Sequence, residues 1–149
     1  MKKGYLGNLF RVHPPKDELT VSSALLRSPS LSVSYFSLGK GTDISPESYP
    51  DFTLLLCLGG NLEVISSGYS KKLNPLETVL FKPGEFLGRN SQRGCGYIQF
   101  TIGGNCNMKC SIQAGEVFSL KNLVSYEEGS IVNKDLLSNE KRKLALLAF

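Results

Sequence analysis

The stretch Gly41-Thr42-Asp43-Ile44-Ser45-Pro46-Glu47-Ser48-Tyr49-Pro50-Asp51-Phe52-Thr53-Leu54-Leu55-Leu56-Cys57-Leu58-Gly59-Gly60 decides the fold. Its second half, Phe52 to Leu58, is almost wholly apolar and stops at a glycine pair. A run this short, closed by turn residues, reads as a buried strand rather than a helix. Outward from it the same grammar repeats. Leu62, Val64 and Ile65 open a second strand after the glycines, and Tyr69 to Leu73 a third after Ser66-Ser67-Gly68. Thr78-Val79-Leu80-Phe81 is β-branched and aromatic and ends at Lys82-Pro83-Gly84, a strong turn. Upstream, Leu31, Val33 and Tyr35 alternate with serines to Leu38; downstream, Gly96 to Ile102 alternates again and stops at Gly103-Gly104. Strands spaced by roughly 10 residues with a turn between each predict an all-β sandwich or barrel.

The bulk numbers fit one such domain. The chain has 149 residues, 41% of them hydrophobic and 20% charged. That is enough to bury a core without staples and too apolar for wholesale disorder. The net charge of +4 is spread along the chain, and the densest basic run, Lys141-Arg142-Lys143, sits beside Glu140. A nucleic-acid binder concentrates its Lys and Arg on one face, so no nucleic-acid partner is expected. No stretch approaches the apolar length of a membrane span, so no membrane partner is expected either. After Met1-Lys2-Lys3, the residues Gly4, Gly7, Asn8 and Arg11 interrupt any signal-like apolar run. With four cysteines and no such leader, the expected compartment is the cytoplasm, where thiols stay reduced.

Residues 115–149 have a different texture. Leu120 to Tyr126 reads as a short helical turn, Asn133 to Ser138 is ambiguous, and Leu144 to Phe149 is apolar to the last residue. A weak internal echo joins this tail to the start. Glu116-Val117-Phe118-Ser119-Leu120 resembles Asn8-Leu9-Phe10-Arg11-Val12, and Val21 and Leu25-Leu26 recur 111 positions later as Val132 and Leu136-Leu137. The tail is either the start of a second copy of the domain or an independent cover for the sheet. The domain division is 1–114 for the barrel and 115–149 for a C-terminal extension, the start of a second repeat or a swapped strand.

The middle of the chain resembles the cupin superfamily. The family's first motif is glycine, five residues, His-x-His, three or four residues, Glu, six residues and glycine. Here Gly41 is followed by five residues, then Glu47-Ser48-Tyr49, then Thr53 and Gly60 at the matching steps. In the second motif, Lys82-Pro83-Gly84 takes the Pro-x-Gly slot and Leu87 falls where a histidine stands. Residues 31–102 carry the match. The resemblance implies a double-stranded β-helix, a small jelly-roll barrel with an interior pocket, and commonly a homodimer. By position it assigns Glu47, Tyr49, Thr53 and Leu87 to the pocket, with Tyr97 beside them. Metal-holding cupins present His and Glu to a divalent transition metal, but this chain has one histidine, His13. A leucine cannot ligate and a neutral threonine hydroxyl is a poor ligand, so no metal and no cofactor are expected.

Other constellations are weaker. Cys106-x-x-x-Cys110 with Cys95 has thiolate spacing compatible with zinc, but no second pair completes it. Four free thiols acting as small hydrophobes is the simpler reading. Some metal-free epimerases of the resembled kind use a His base and a Tyr acid, which would enlist His13 with Tyr49 or Tyr97. Glu47, Asp51, Glu63, Glu77 and Glu85 form no pair whose spacing implies acid–base work. Catalytic residues stay unassigned. The expected role is small-molecule binding, sensing or assembly by a metal-free barrel; the alternative is a metal-independent sugar isomerase or epimerase. Tag-free protein purified without chelators is expected to carry less than about a tenth of an equivalent of transition metal by mass spectrometry. Near-stoichiometric metal would mean that the ligands have been misplaced.

Overall fold

The computed structural model describes residues 7–103 and 108–149. A single helical turn, α1 (Leu9–Val12), is capped by the Asn8 side chain, which accepts from the Arg11 amide at 3.1 Å. Thirteen strands follow among the described residues: β1 (Thr20–Ser28), β2 (Leu31–Leu38), β3 (Thr42–Ser48), β4 (Phe52–Gly60), β5 (Leu62–Ser66), β6 (Tyr69–Leu73), β7 (Glu77–Phe81), β8 (Phe86–Ser91), β9 (Cys95–Ile102), β10 (Lys109–Cys110), β11 (Val117–Ser119), β12 (Val132–Ser138) and β13 (Lys143–Ala148). The sheet orders are β1-β2-β9-β4-β7-β11, β3-β8-β5-β6 and β10-β12-β13, and every pairing between these strands is antiparallel. This is the expected jelly-roll architecture, with the tail contributing β11 to the six-stranded sheet.

The apolar run of β4 has a physical reason: both of its faces are covered. Leu55 and Cys57 point between the two larger sheets, joining Leu38, Val79, Phe81, Cys95 and Tyr97 from the same sheet and Leu62, Val64, Leu73 and Leu87 from the opposite one. Leu54 points the other way, into a second core with Leu80, Ile102, Ile112, Leu136 and Leu137. Leu136 and Leu137 of this second core are supplied by the tail. A strand with one wet face would have alternated; a strand buried on both reads as continuous.

The upper part of the same outer face is covered by residues 8–16. Phe10 lies flat on two glycines. A Cβ at Gly96 would come within 2.6 Å of both the Phe10 ring and the Tyr35 hydroxyl oxygen, and one at Gly59 within 2.9 Å of Phe10. Tyr35 donates to the His13 carbonyl at 2.8 Å, which ties this strap to the sheet.

Strands β2, β4, β5, β6, β7 and β9 match the sequence reading. Five that it missed lack its cues: β1 is rich in serine, β3 contains Pro46, β8 contains Gly88-Arg89-Asn90, and β10 and β11 are only two and three residues long. Leu120–Asn122 is a short 3-10 turn, and the ambiguous segment at 133–138 belongs to strand β12. Among the described residues no helix is long and apolar enough to cross a membrane.

Gly96→Ala is expected to destabilise the fold by about 1–3 kcal/mol through overpacking. In combination with Phe10→Ala the cost should shrink, because the ring that a methyl would strike is gone. Urea unfolding of the two single variants and the double variant checks this. Additive effects would show that Phe10 does not rest on Gly96.

Candidate functional site

The site begins with an irregularity in an edge strand. In the β3–β8 pairing, Ile44 faces Arg89 and Glu47 faces Leu87, so β3 spends one extra residue. The extra residue comes at Ser45-Pro46, opposite Gly88, where a Cβ would meet the Pro46 ring at 3.2 Å. Proline is tolerated here because β3 is an edge strand and a bulge frees its missing donor. The bulge reverses the alternation, so Glu47 shares the inward face with Leu87 and Arg89. Tyr49 follows on the same side, its carbonyl accepting from the Gly84 amide of the Lys82-Pro83-Gly84 turn at 2.8 Å.

Arg89 stands at the centre. Its side chain is fully buried. Its Nη2 donates to the Tyr49 hydroxyl at 2.7 Å and to the Gln99 side-chain oxygen at 2.9 Å. The guanidinium carbon lies 5.2 Å from the centre of the Tyr49 ring. The Tyr49 hydroxyl in turn donates to Glu47 at 2.6 Å, and that carboxylate lies 3.6 Å from Arg89 Nη1. Glu47 is the single counter-charge among the described residues, and more than half of its side chain meets solvent. Arg89 Nε and Nη1 find no hydrogen-bond partner among the described residues, and neither does the buried Tyr97 hydroxyl. Buried polar groups are ordinarily satisfied; Ser37, Thr78, Asn90 and Asp135 each hold one such atom too, and what distinguishes this cluster is that its three lie about a buried charge.

Tyr97 stacks on Phe36, with ring centres 5.1 Å apart and planes 7° from parallel. Burial pushes its phenol well above the ordinary value, and the Arg89 charge opposes this only in part. Tyr97 is therefore a neutral donor across the physiological range. Burial also pushes the Cys95 thiol up to about 12 and raises Cys57.

The structure thus brings Glu47, Tyr49 and Tyr97 around one guanidinium. Thr53 is buried on the same inward face of β4, in register with Thr101, which accepts weakly from Gln99 at 3.5 Å. Leu87 is part of the apolar core. His13 is elsewhere: its carbonyl holds Tyr35, whose neighbour in register on β9 is Ile98 rather than Tyr97, so it lies across the sheet from the cluster. Sequence reasoning missed Arg89 and Gln99. Period-two alternation inward from Leu87 and Tyr97 would have found both.

The donor set does not suit a divalent transition metal. Leu87 has no ligating atom, and Glu47 and Tyr49 already face a fixed cation that would repel a second one. Cys95 is buried in the core and Cys110 is exposed on β10, so these two do not form the proposed thiolate group. Cys106 lies outside the described residues. No group of three or more His, Cys, Asp or Glu is placed to hold a metal among the described residues. Two surface clefts of about 420 and about 260 Å³ lie on the outer face of the four-stranded sheet, where Asp43, Glu63, Ile65 and Asn90 point away from the barrel interior. Both are open grooves over a sheet face, and the smaller is lined wholly by polar side chains, Asn61, Glu63, Lys72, Asn90, Gln92 and Arg93.

Comparison with known proteins places this architecture. A cupin 2 conserved barrel domain protein from Leptotrichia buccalis superposes with a TM-score of 0.79 at 22% identity over 93% of this chain. This chain spans 62% of that protein's length. A conserved protein of unknown function from Streptococcus pyogenes matches 71% of this chain and 93% of its own, at 16% identity and a TM-score of 0.66. A cupin superfamily protein from Desulfitobacterium hafniense matches 63% of this chain and 86% of its own, at 22% identity and a TM-score of 0.60. No protein-family model and no curated protein matches the chain. At these identities the likeness establishes the fold: this is a cupin-type barrel.

The buried thiols give an alkaline prediction. A group whose folded value is raised favours the folded state only while the unfolded chain keeps its proton. Stability is therefore full below about pH 9 and falls as pH rises from there towards 12. Within that window Cys95 should contribute a slope of about 1.4 kcal/mol per pH unit. Urea unfolding from pH 7 to 11 should show the loss, and Cys95→Ala should flatten it. An unchanged slope in the variant would show that the thiol ionises in the folded barrel.

Proposed function

We propose that this barrel is a binding module for a small anionic molecule, a carboxylate above all, held by Arg89. The observation that carries the reading is the fully buried guanidinium with two unpartnered nitrogens and one partly solvent-exposed counter-charge. A planar guanidinium suits a carboxylate in two-point contact, and here two of its donors are free. The neutral Tyr97 hydroxyl adds a third donor. Phe36 stacked on Tyr97 offers an apolar wall for the rest of the ligand. Glu47 reaches Arg89 only at 3.6 Å from a solvent-exposed position, so it is the group an incoming anion displaces. Fold alone does not assign chemistry, since one barrel serves many roles. The enzyme alternative loses its base, because His13 stands across the sheet from the cluster.

A charge retained for binding and one retained for stability respond differently to isosteric replacement. Exchanging a buried ion pair for a hydrophobic side chain of similar volume is often neutral or stabilising. Arg89→Met is therefore expected to unfold within about 1 kcal/mol of the parent chain, or later, while losing anion binding. Glu47→Gln should bind anions more tightly, having removed the competing charge. Calorimetric titration with succinate, inorganic phosphate and glucose checks both variants. Equal binding of glucose by the parent chain and Arg89→Met, with no response to succinate or phosphate, would sink the reading.

A further inference from the structure

The tail repeats the geometry of the chain's beginning, residue for residue, at an advance of 111 positions. Helical turn α1 at Leu9–Val12 falls on the 3-10 turn at Leu120–Asn122. The turn in which the Leu19 amide donates to the Lys16 carbonyl at 3.1 Å falls on one in which Ser130 donates to Glu127 at 3.1 Å. Each turn holds one residue at positive φ, Glu18 at 59° and Gly129 at 78°, again 111 apart. The register of the hairpins agrees throughout. Val21 pairs with Ser37 as Val132 pairs with Ala148, Ala24 with Ser34 as Asp135 with Ala145, and Leu26 with Val33 as Leu137 with Leu144. The irregularity between Ala24 and Leu26 recurs between Asp135 and Leu137. The helical turns match at 111, which overrides the alternative alignment of Phe10 with Phe118. Sequence identity between the units is slight, so shared bulge, turn and register are the stronger sign of a repeat.

The two units differ in what covers them. The outer edge of β2 is occupied by β9 along its whole length, whereas β13 pairs only with β12 among the described residues. Phe36 and Leu38, on the inward face of β2, fill the first barrel. Their counterparts, Leu147 and Phe149, are 55% and 84% exposed. By contrast Leu136 and Leu137, the counterparts of Leu25 and Leu26, are buried in the outer core. Tyr126 and Ile131 are exposed as well but precede β12; from β12 onward the exposed large apolar side chains are Leu147 and Phe149, which stand where an interior would be.

We infer that residues 119–149 are the opening unit of a second barrel of the same fold, and that the free edge of β13 seats that barrel's counterpart of β9. Leu147 and Phe149 then line the second interior. The likeness to the Leptotrichia buccalis protein, covering 93% of this chain, extends into this unit. The inference stands apart from the anion site.

The test uses the repeat itself. Phe149 stands where Leu38 does, so residues 39–103 are appended after Phe149 as the segment that completes the first barrel after the same unit. Peptide-level hydrogen exchange is followed in the parent chain and in this fusion. The β13 amides facing the open edge should exchange freely in the parent and at least about a hundredfold more slowly in the fusion, with the appended segment itself protected. A second fusion replaces residues 8–38 by residues 119–149 joined to Gly39, and should give a folded barrel with β13 lying against β9. Either fusion folding in this way supports the inference. Failure of both overturns it. So does concentration-dependent dimerisation of the parent chain with its β13 edge protected, which would assign the edge to a second copy instead.

Discussion

The fold depends on one constraint: the central strands β4 and β9 must be dry on both faces. Their inward side chains make the core between the two larger sheets, and their outward side chains make a second core under the tail. A sheet exposed on its outer face would place Leu54, Leu80 and Ile102 in water. The strap at residues 8–16 and the unit at 119–149 prevent this from opposite ends. That is why Gly59 and Gly96 lack side chains, since only bare backbone lets Phe10 approach.

Within the barrel the apolar core gives way to a polar cluster built on Arg89. Taking a guanidinium out of water is costly unless its donors are met and its charge is opposed. Here Tyr49 and Gln99 meet one nitrogen, while Glu47 opposes the charge from a solvent-exposed position at 3.6 Å. The extra residue in β3 makes this arrangement available by turning Glu47 inward. Two of the positions singled out by motif spacing, Glu47 and Tyr49, thus face a cation carried by the chain itself.

The repeat adds a second level of organisation. The unit at 119–149 finishes the first barrel's outer core with one face and offers an unpaired strand edge and two exposed apolar side chains with the other. An edge of this kind invites pairing, and folds ordinarily cover or blunt it.

Much of the architecture was legible in the residues. The run from Phe52 to Leu58, the alternation at 31–38 and 96–102 and the glycine and proline turns pointed to an all-β barrel, because strand period and turn chemistry are local. Motif spacing singled out Glu47, Tyr49, Thr53 and Leu87, of which Glu47 and Tyr49 lie against Arg89 and Leu87 lies in the apolar core. Arg89 was not legible, because a charged residue beside glycine and asparagine reads as loop; the inward aim of its side chain comes from pairing with Val64 of β5 and Ile44 of β3. His13 looked available to the pocket until the sheet placed it on the other side. The tail's identity was likewise hidden: three shared residues between the spans 21–38 and 132–149 are weak evidence in letters. Sequence alone determined where β2, β4, β5, β6, β7 and β9 lie. Only the tertiary structure decided which strand faces meet, which charge is buried, and that two dissimilar segments hold the same register, because hydrogen-bond pairing and burial act between residues far apart in the chain.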